Sequence, residues 1–183
     1  MKYEFKLDNY LWGSKKEDTK VKVKLENKGT ILKIKFDVIE KELRRMVTED
    51  QGPVWTDSCV ELFISADNKA HYANFEFSAS GAVLACYGSG RVNRSKYSED
   101  LLATVKRKVT ILENNNKQSH WILDVSLDLA LFNLVKKLPQ DVYINLYKCG
   151  DKLLTPHYLS AFPIDLEKPD FHTPAFFQKI TLA

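Results

Sequence analysis

The segment GPVWTDSCVELFI, residues 52–64, carries the alternation on which the fold class turns. Side chains of an extended chain point alternately to its two sides, so Val60, Leu62 and Ile64 share one face and Cys59, Glu61 and Phe63 the other. The first face is wholly apolar and belongs to a core. The second holds the Glu61 carboxylate, six residues after Trp55, and therefore points away from that core.

The same period of two recurs outward along the chain, in short runs rich in β-branched and aromatic residues. Val21, Val23 and Leu25 form one run, and Ile34, Phe36 and Val38 another after the turn at Asn27-Lys28-Gly29, which predicts a hairpin. Tyr72 to Ser78 places Phe75 and Phe77 on one face and Asn74 and Glu76 on the other, then turns at Ser80-Gly81 into Ala82 to Tyr87. A third hairpin joins Thr104–Leu112 to the run Trp121, Leu123, Val125 and Leu127 through Asn114-Asn115-Asn116. Val142–Tyr147 and Gln178–Leu182 complete the set. Apolar spacing over Leu127–Lys137, ending before Pro139, predicts one short helix. Many short strands and almost no helix imply an all-β fold, an antiparallel, jelly-roll-like β-sandwich of two packed sheets, as one domain over residues 1–183.

Bulk properties narrow the function. With 27 basic and 24 acidic residues dispersed along the chain, the net charge of +3 does not describe a nucleic-acid surface. Lys20, Lys22 and Lys24 alternate with buried-type residues and read as a solvated strand face. No run approaches the roughly 20 apolar residues of a membrane span. The charged start MKYEFKLDNY lacks the apolar core of a signal peptide, although a chain whose signal has been removed would read the same. Three cysteines, Cys59, Cys86 and Cys149, without CxxC or Cys/His spacing, suggest buried thiols rather than a disulfide framework or structural zinc.

Catalytic templates are absent: there is no GxSxG, P-loop or HExxH, and the glycines of Tyr87-Gly88-Ser89-Gly90-Arg91 do not extend to GxGxxG. The four histidines, His71, His120, His157 and His172, are scattered. What remains is the vocabulary of a sugar site. A sugar presents C–H groups on its faces and hydroxyls on its rim, so its receptors combine an aromatic platform with carboxylate, amide or guanidinium groups. Trp55, Glu61, Asn74 and Arg91 are of these types.

The run VWTDSCVELFISADN followed by HYANFEFSASG resembles the tryptophan-to-glutamate segment and following asparagine strand of the family 9 carbohydrate-binding modules. PHYLSAFPIDLEKPDFHTPAFFQKITL is similar to the tail of a bacterial subgroup of that superfamily, and the resemblance covers roughly residues 20 to 183. It implies a β-sandwich and non-catalytic binding of a mono- or oligosaccharide between two tryptophans, in support of glycan degradation by a partner glycoside hydrolase. Structural calcium accompanies some members, with Asp67-Asn68 as the donors here; no other cofactor is implied.

Carried over residue by residue, Trp55 matches the first clamping tryptophan, Glu61 the hydrogen-bonding glutamate and Asn74 the strand asparagine. Ala73 stands where better-known members have a sugar-contacting arginine, and Arg91 is the candidate replacement. Ala161 occupies the place of the second tryptophan, which leaves Phe162, beside it, to complete the clamp, with His157 of the same motif as a further candidate. Two alternatives stay open: a glycan-processing hydrolase using Asp57, Glu61 or His157, and a sandwich interaction module without a ligand, for which Trp55 would be buried beneath the loop Gly88–Asp100. Asn93-Arg94-Ser95 also matches a glycosylation acceptor.

Overall fold

A computed structural model describes residues 1–183. Its strands are β1 (Lys2–Lys6), β2 (Asn9–Leu11), β3 (Thr19–Lys28), β4 (Ile31–Glu40), β5 (Cys59–Ser65), β6 (Tyr72–Ser78), β7 (Val83–Gly88), β8 (Ser95–Lys96), β9 (Lys106–Asn114), β10 (Ser119–Asp128), β11 (Gln140–Cys149), β12 (Tyr158–Ser160) and β13 (Gln178–Leu182), with one helix, α1 (Glu99–Ala103). The three expected hairpins are β3–β4, β6–β7 and β9–β10.

The first sheet runs β1-β3-β4-β10-β9 and the second β2-β12-β11-β5-β6-β7-β8, with antiparallel pairing throughout; β13 pairs the first half of β11 and β12 its end. Gly29, at φ +60°, supplies the left-handed residue that the β3–β4 turn requires. In β3 burial alternates at every position: Val21, Val23 and Leu25 face inward and Lys20, Lys22 and Lys24 face water. Between the sheets lie Phe36, Val60, Leu62, Ile64, Phe75, Phe77, Trp121 and Leu146, all fully buried. Trp121 keeps its one donor satisfied, its Nε1 donating to Glu40 Oε1 at 2.7 Å.

The second sheet differs, because β5 and β6 are buried at all seven positions each. Its outer face carries Cys59, Glu61, Phe63, Tyr72, Asn74, Glu76 and Tyr147, and the chain folds back over part of it. Phe171, Phe176 and Phe177 of the C-terminal tail pack on Phe63, Tyr72 and Tyr147. Tyr147 and Phe171 stack at 4.1 Å, and Phe63 meets Tyr147 edge-on at 4.9 Å.

The expected helix over Leu127–Lys137 is not formed. Leu127 still belongs to β10, and the residues after Asp128 make successive turns that drop Leu129, Phe132, Leu134 and Val135 into the end of the sandwich. Their apolar spacing reflects the plugging of an open core. The single helix stands instead at Glu99–Ala103, where the Ser98 side chain accepts from Leu101 N and Glu99 and Asp100 favour the first turn.

Candidate functional site

The part of the outer face that the tail leaves open is a cavity of about 510 Å³, bordered by Trp12, Trp55, Tyr158 and Phe171 and by Asn74, Glu76, Arg91, Arg94 and Asp151. Trp55 sits in a single 3₁₀ turn, Val54–Thr56, whose neighbours Val54 and Thr56 are buried while its own side chain remains 40% exposed. Its carbonyl accepts from Asp151 N at 3.1 Å, and Thr56 O accepts from Lys152 N at 3.2 Å. The backbone is thus fixed while the ring stands free. Gly150 precedes Asp151 because a Cβ there would collide with Leu153.

Trp12, at φ +50°, follows β2. Its Nε1 donates to Leu166 O at 2.8 Å, and its ring packs edge-on against Tyr158 and tilted on Phe171, at 5.6 and 5.5 Å. The cavity is therefore bordered by two tryptophans.

The polar side of the site is a relay. Arg94 donates through Nε and Nη2 to Asn74 Oδ1 at 3.0 and 2.6 Å, and Asn74 Nδ2 donates to Glu76 Oε1 at 2.8 Å. Arg94 also donates to Tyr72 O and Gly90 O, and its guanidinium lies 4.1 Å from the centre of the Tyr72 ring. Burial raises the Glu76 carboxyl to about 7 against the opposing pull of Asn74 and Arg94. Burial also lowers His172, to about 4, with Arg94 adding to the effect. Arg91 is 65% exposed on the rim, 3.9 Å from Asp170.

The sequence candidates separate accordingly. Trp55, Asn74 and Arg91 border the cavity; Glu61, His157 and Phe162 do not. Glu61 lies on the outward face but is only 2% exposed, behind Cys149, whose thiol donates to Glu61 Oε1 at 3.0 Å. Burial first, then Cys149 and Glu76, push its carboxyl well above the usual range.

Phe162 packs on the main core, 5.7 Å edge-on from Phe5, with its backbone held by Asn145. Alternation accounts for Ala161, since Tyr158 faces the cavity whereas Leu159 and Ala161 face the core side; Phe162 shares the parity of Tyr158, but β12 ends at Ser160 and the bend that follows turns its ring onto the core. Trp12 and Tyr158 supply the aromatic surface there. His157 belongs to a separate buried cluster, with Lys148 Nζ 2.9 Å from its Nε2 and 2.8 Å from Glu40 Oε2. Burial alone would raise the Glu40 carboxyl, but Lys148 and His157 bring it down to about 2.

Asp57 is fully buried and anchors the preceding loop, accepting from Val47 N and Ser78 Oγ at 2.8 Å each and facing Arg44 Nε at 3.3 Å. It does not border the cavity, so Asp57 and Glu61 form no pair of carboxylates there. Asp67 is engaged within its own turn: Oδ1 accepts from Ser65 Oγ and His71 N, and Oδ2 contacts His71 Nδ1. A carboxylate so used, beside Asn68 alone, does not fit calcium's six to eight oxygens.

Sequence reasoning missed Trp12, Arg94, Tyr158 and Phe171. Tyr158 and Phe171 stand inside the C-terminal motif, and Arg94 inside the Asn93-Arg94-Ser95 triplet, so signals existed for all but Trp12.

A β-sandwich with an aromatic-walled, polar-sided cavity on one outer sheet face defines a ligand-binding module. The chain belongs to carbohydrate-binding family 9, whose model matches residues 2–182. A crystal structure of a Bacteroides uniformis ATCC 8492 protein, to which carbohydrate binding has been ascribed, is similar at 33% identity and a TM-score of 0.87, covering 98% of this chain and 85% of that one. Family 9 modules from Caldicellulosiruptor kristjanssonii in complex with glucose and with cellotriose share the fold at 12% and 10% identity. Both have a TM-score of 0.61, with 99% and 98% of this chain and 84% and 81% of theirs covered. No curated protein matches the chain.

Proposed function

We propose that this protein binds a mono- or oligosaccharide non-catalytically in the cavity of the outer sheet face. Trp55 is the stacking platform, Trp12 and Tyr158 extend the aromatic wall, and Asn74, Arg94 and Glu76 meet the hydroxyls. The observation that carries this reading is Trp55 itself, 40% exposed on a rigidly held turn beside that polar relay. A ligand-free interaction module called for the same ring to be buried beneath the loop 88–100.

Glucose and cellotriose are the probes, because family 9 modules are known with each bound. Calorimetric titration is expected to give saturable heat with at least one of them. Losing one aromatic platform removes about 1–3 kcal/mol of apolar burial, so Trp55→Ala weakens binding roughly five- to 150-fold. A folded wild-type protein giving no heat across a wider glycan panel overturns the reading. In this role the protein holds glycan for a separate glycoside hydrolase. An unchanged hydrolase rate on insoluble glycan, with and without the protein, removes that part alone.

A further inference from the structure

Three buried donors meet beneath the cavity. Cys59 on β5 and Cys149 on β11 are directly opposite in the antiparallel register, and Glu61 follows two residues after Cys59 on the same face. Their ligand atoms all lie within 4.8 Å of one another, and all three residues are buried. Glu61 Oε1 is 3.0 Å from Cys149 Sγ and 4.0 Å from Cys59 Sγ. No lysine or arginine bonds to the side chain of any of the three; the nearest ammonium, Lys148 Nζ, donates to the Cys149 carbonyl at 2.8 Å and pairs with Glu40.

We propose that Cys59, Cys149 and Glu61 form a binding site for a soft divalent cation of the zinc class. A tetrahedral ion with sulfur at about 2.3 Å and oxygen at about 2.0–2.2 Å separates its sulfur and oxygen ligands by about 3.5 Å, which the two observed distances bracket. Two thiolates select zinc-class metals over calcium or magnesium, which take oxygen ligands. Adjacent strands hold the thiols in register, so the backbone needs no rearrangement to present them. Of the three residues only Cys149 borders the cavity, so the fourth position lies toward it and is completed by water or by a ligand hydroxyl. The pattern was invisible to spacing rules, because Cys59 and Cys149 are joined only by strand pairing.

The site stands independently of sugar binding and is read without sugar. Cobalt titration of the reduced wild-type protein is expected to give one Co²⁺ per chain with a thiolate-to-cobalt charge-transfer band, displaced by Zn²⁺. Cys59→Ser and Cys149→Ser should lose the band or weaken binding by more than the about 10–100-fold cost of an outer-shell change. Cys86→Ser, on the same sheet face but outside the cluster, should keep it. If the serine variants do not fold, Glu61→Gln and the wild type still decide: Zn²⁺ raises the thermal midpoint of the wild type and raises that of Glu61→Gln less. Absence of the band, its survival in Cys149→Ser, or a midpoint unmoved by Zn²⁺ overturns the proposal.

Discussion

The outer faces of the two sheets obey opposite rules. On the five-stranded sheet, β3 and β4 alternate between core and water, and the exposed side is a lawn of lysines with a few carboxylates. On the eight-stranded sheet, β5 and β6 have no exposed side at all. An antiparallel sheet needs only one buried face, so a second covered face has to be supplied by other segments. Here the 161–177 tail, the 41–58 loop and Trp12 provide it, and where they stop short the uncovered remainder becomes the cavity.

Covered outer positions should then behave as core. Phe63→Ala removes a ring packed between Tyr72, Tyr147 and Phe177 and is expected to cost about 3–5 kcal/mol in denaturant unfolding, as a core phenylalanine would. A loss below about 1 kcal/mol would mean that the tail only rests on the sheet.

The next effect is on pH dependence. His172, on the tail itself, bonds Tyr72 of the sheet through Nδ1 at 2.8 Å and is lowered to about 4 by burial and by Arg94. The unfolded chain, with its histidine near 6.5, binds more protons than the folded one between those values, so stability rises with pH across that window and is lost as pH falls through it. The contribution reaches roughly 3 kcal/mol at most. Subtracting the stability curve of His172→Gln from that of the wild type between pH 4 and 7 should isolate this slope from the opposite one of Glu76, and a flat difference would show the imidazole to be solvated.

At the open end, Arg94→Lys keeps the charge but loses the fork that engages Asn74 twice together with Tyr72 O. Calorimetry with the glycan bound by the wild type should show about tenfold weaker binding, equal to roughly 1.4 kcal/mol, and equal affinity would place the relay outside the ligand's reach.

How much of this the sequence disclosed follows from the same contrast. Alternation in Val21–Leu25 and Ile34–Val38 named the inner face of the first sheet, and in Val60–Ile64 it named the side of Glu61. It carried no information about depth: Glu61 faces outward, yet Cys149 of another strand lies over it. Family wording located Trp55 and Asn74, but the second aromatic wall comes from Trp12, more than 140 residues before the motif that was expected to supply it. Period-two patterns report local geometry, whereas a cavity assembled from five separated segments is set by which loops fold over which strands. The misplaced helix has the same origin, since Leu129–Val135 are apolar to plug a core end and not to line a helix face.

The smallest effect belongs to the bare face and tests the comparison from the other side. Lys22 points outward between Lys6 and Asp37 in the register, one neighbour of like charge and one of opposite charge, and makes no ion pair of its own. Exposed charges so placed are screened by salt and nearly cancel. Lys22→Ala is therefore expected to change unfolding stability by no more than about 0.5 kcal/mol, at low and at high salt alike. If the loss instead exceeded about 1 kcal/mol, the lysine stems would be packing on the sheet, and the first sheet too would have a second buried face.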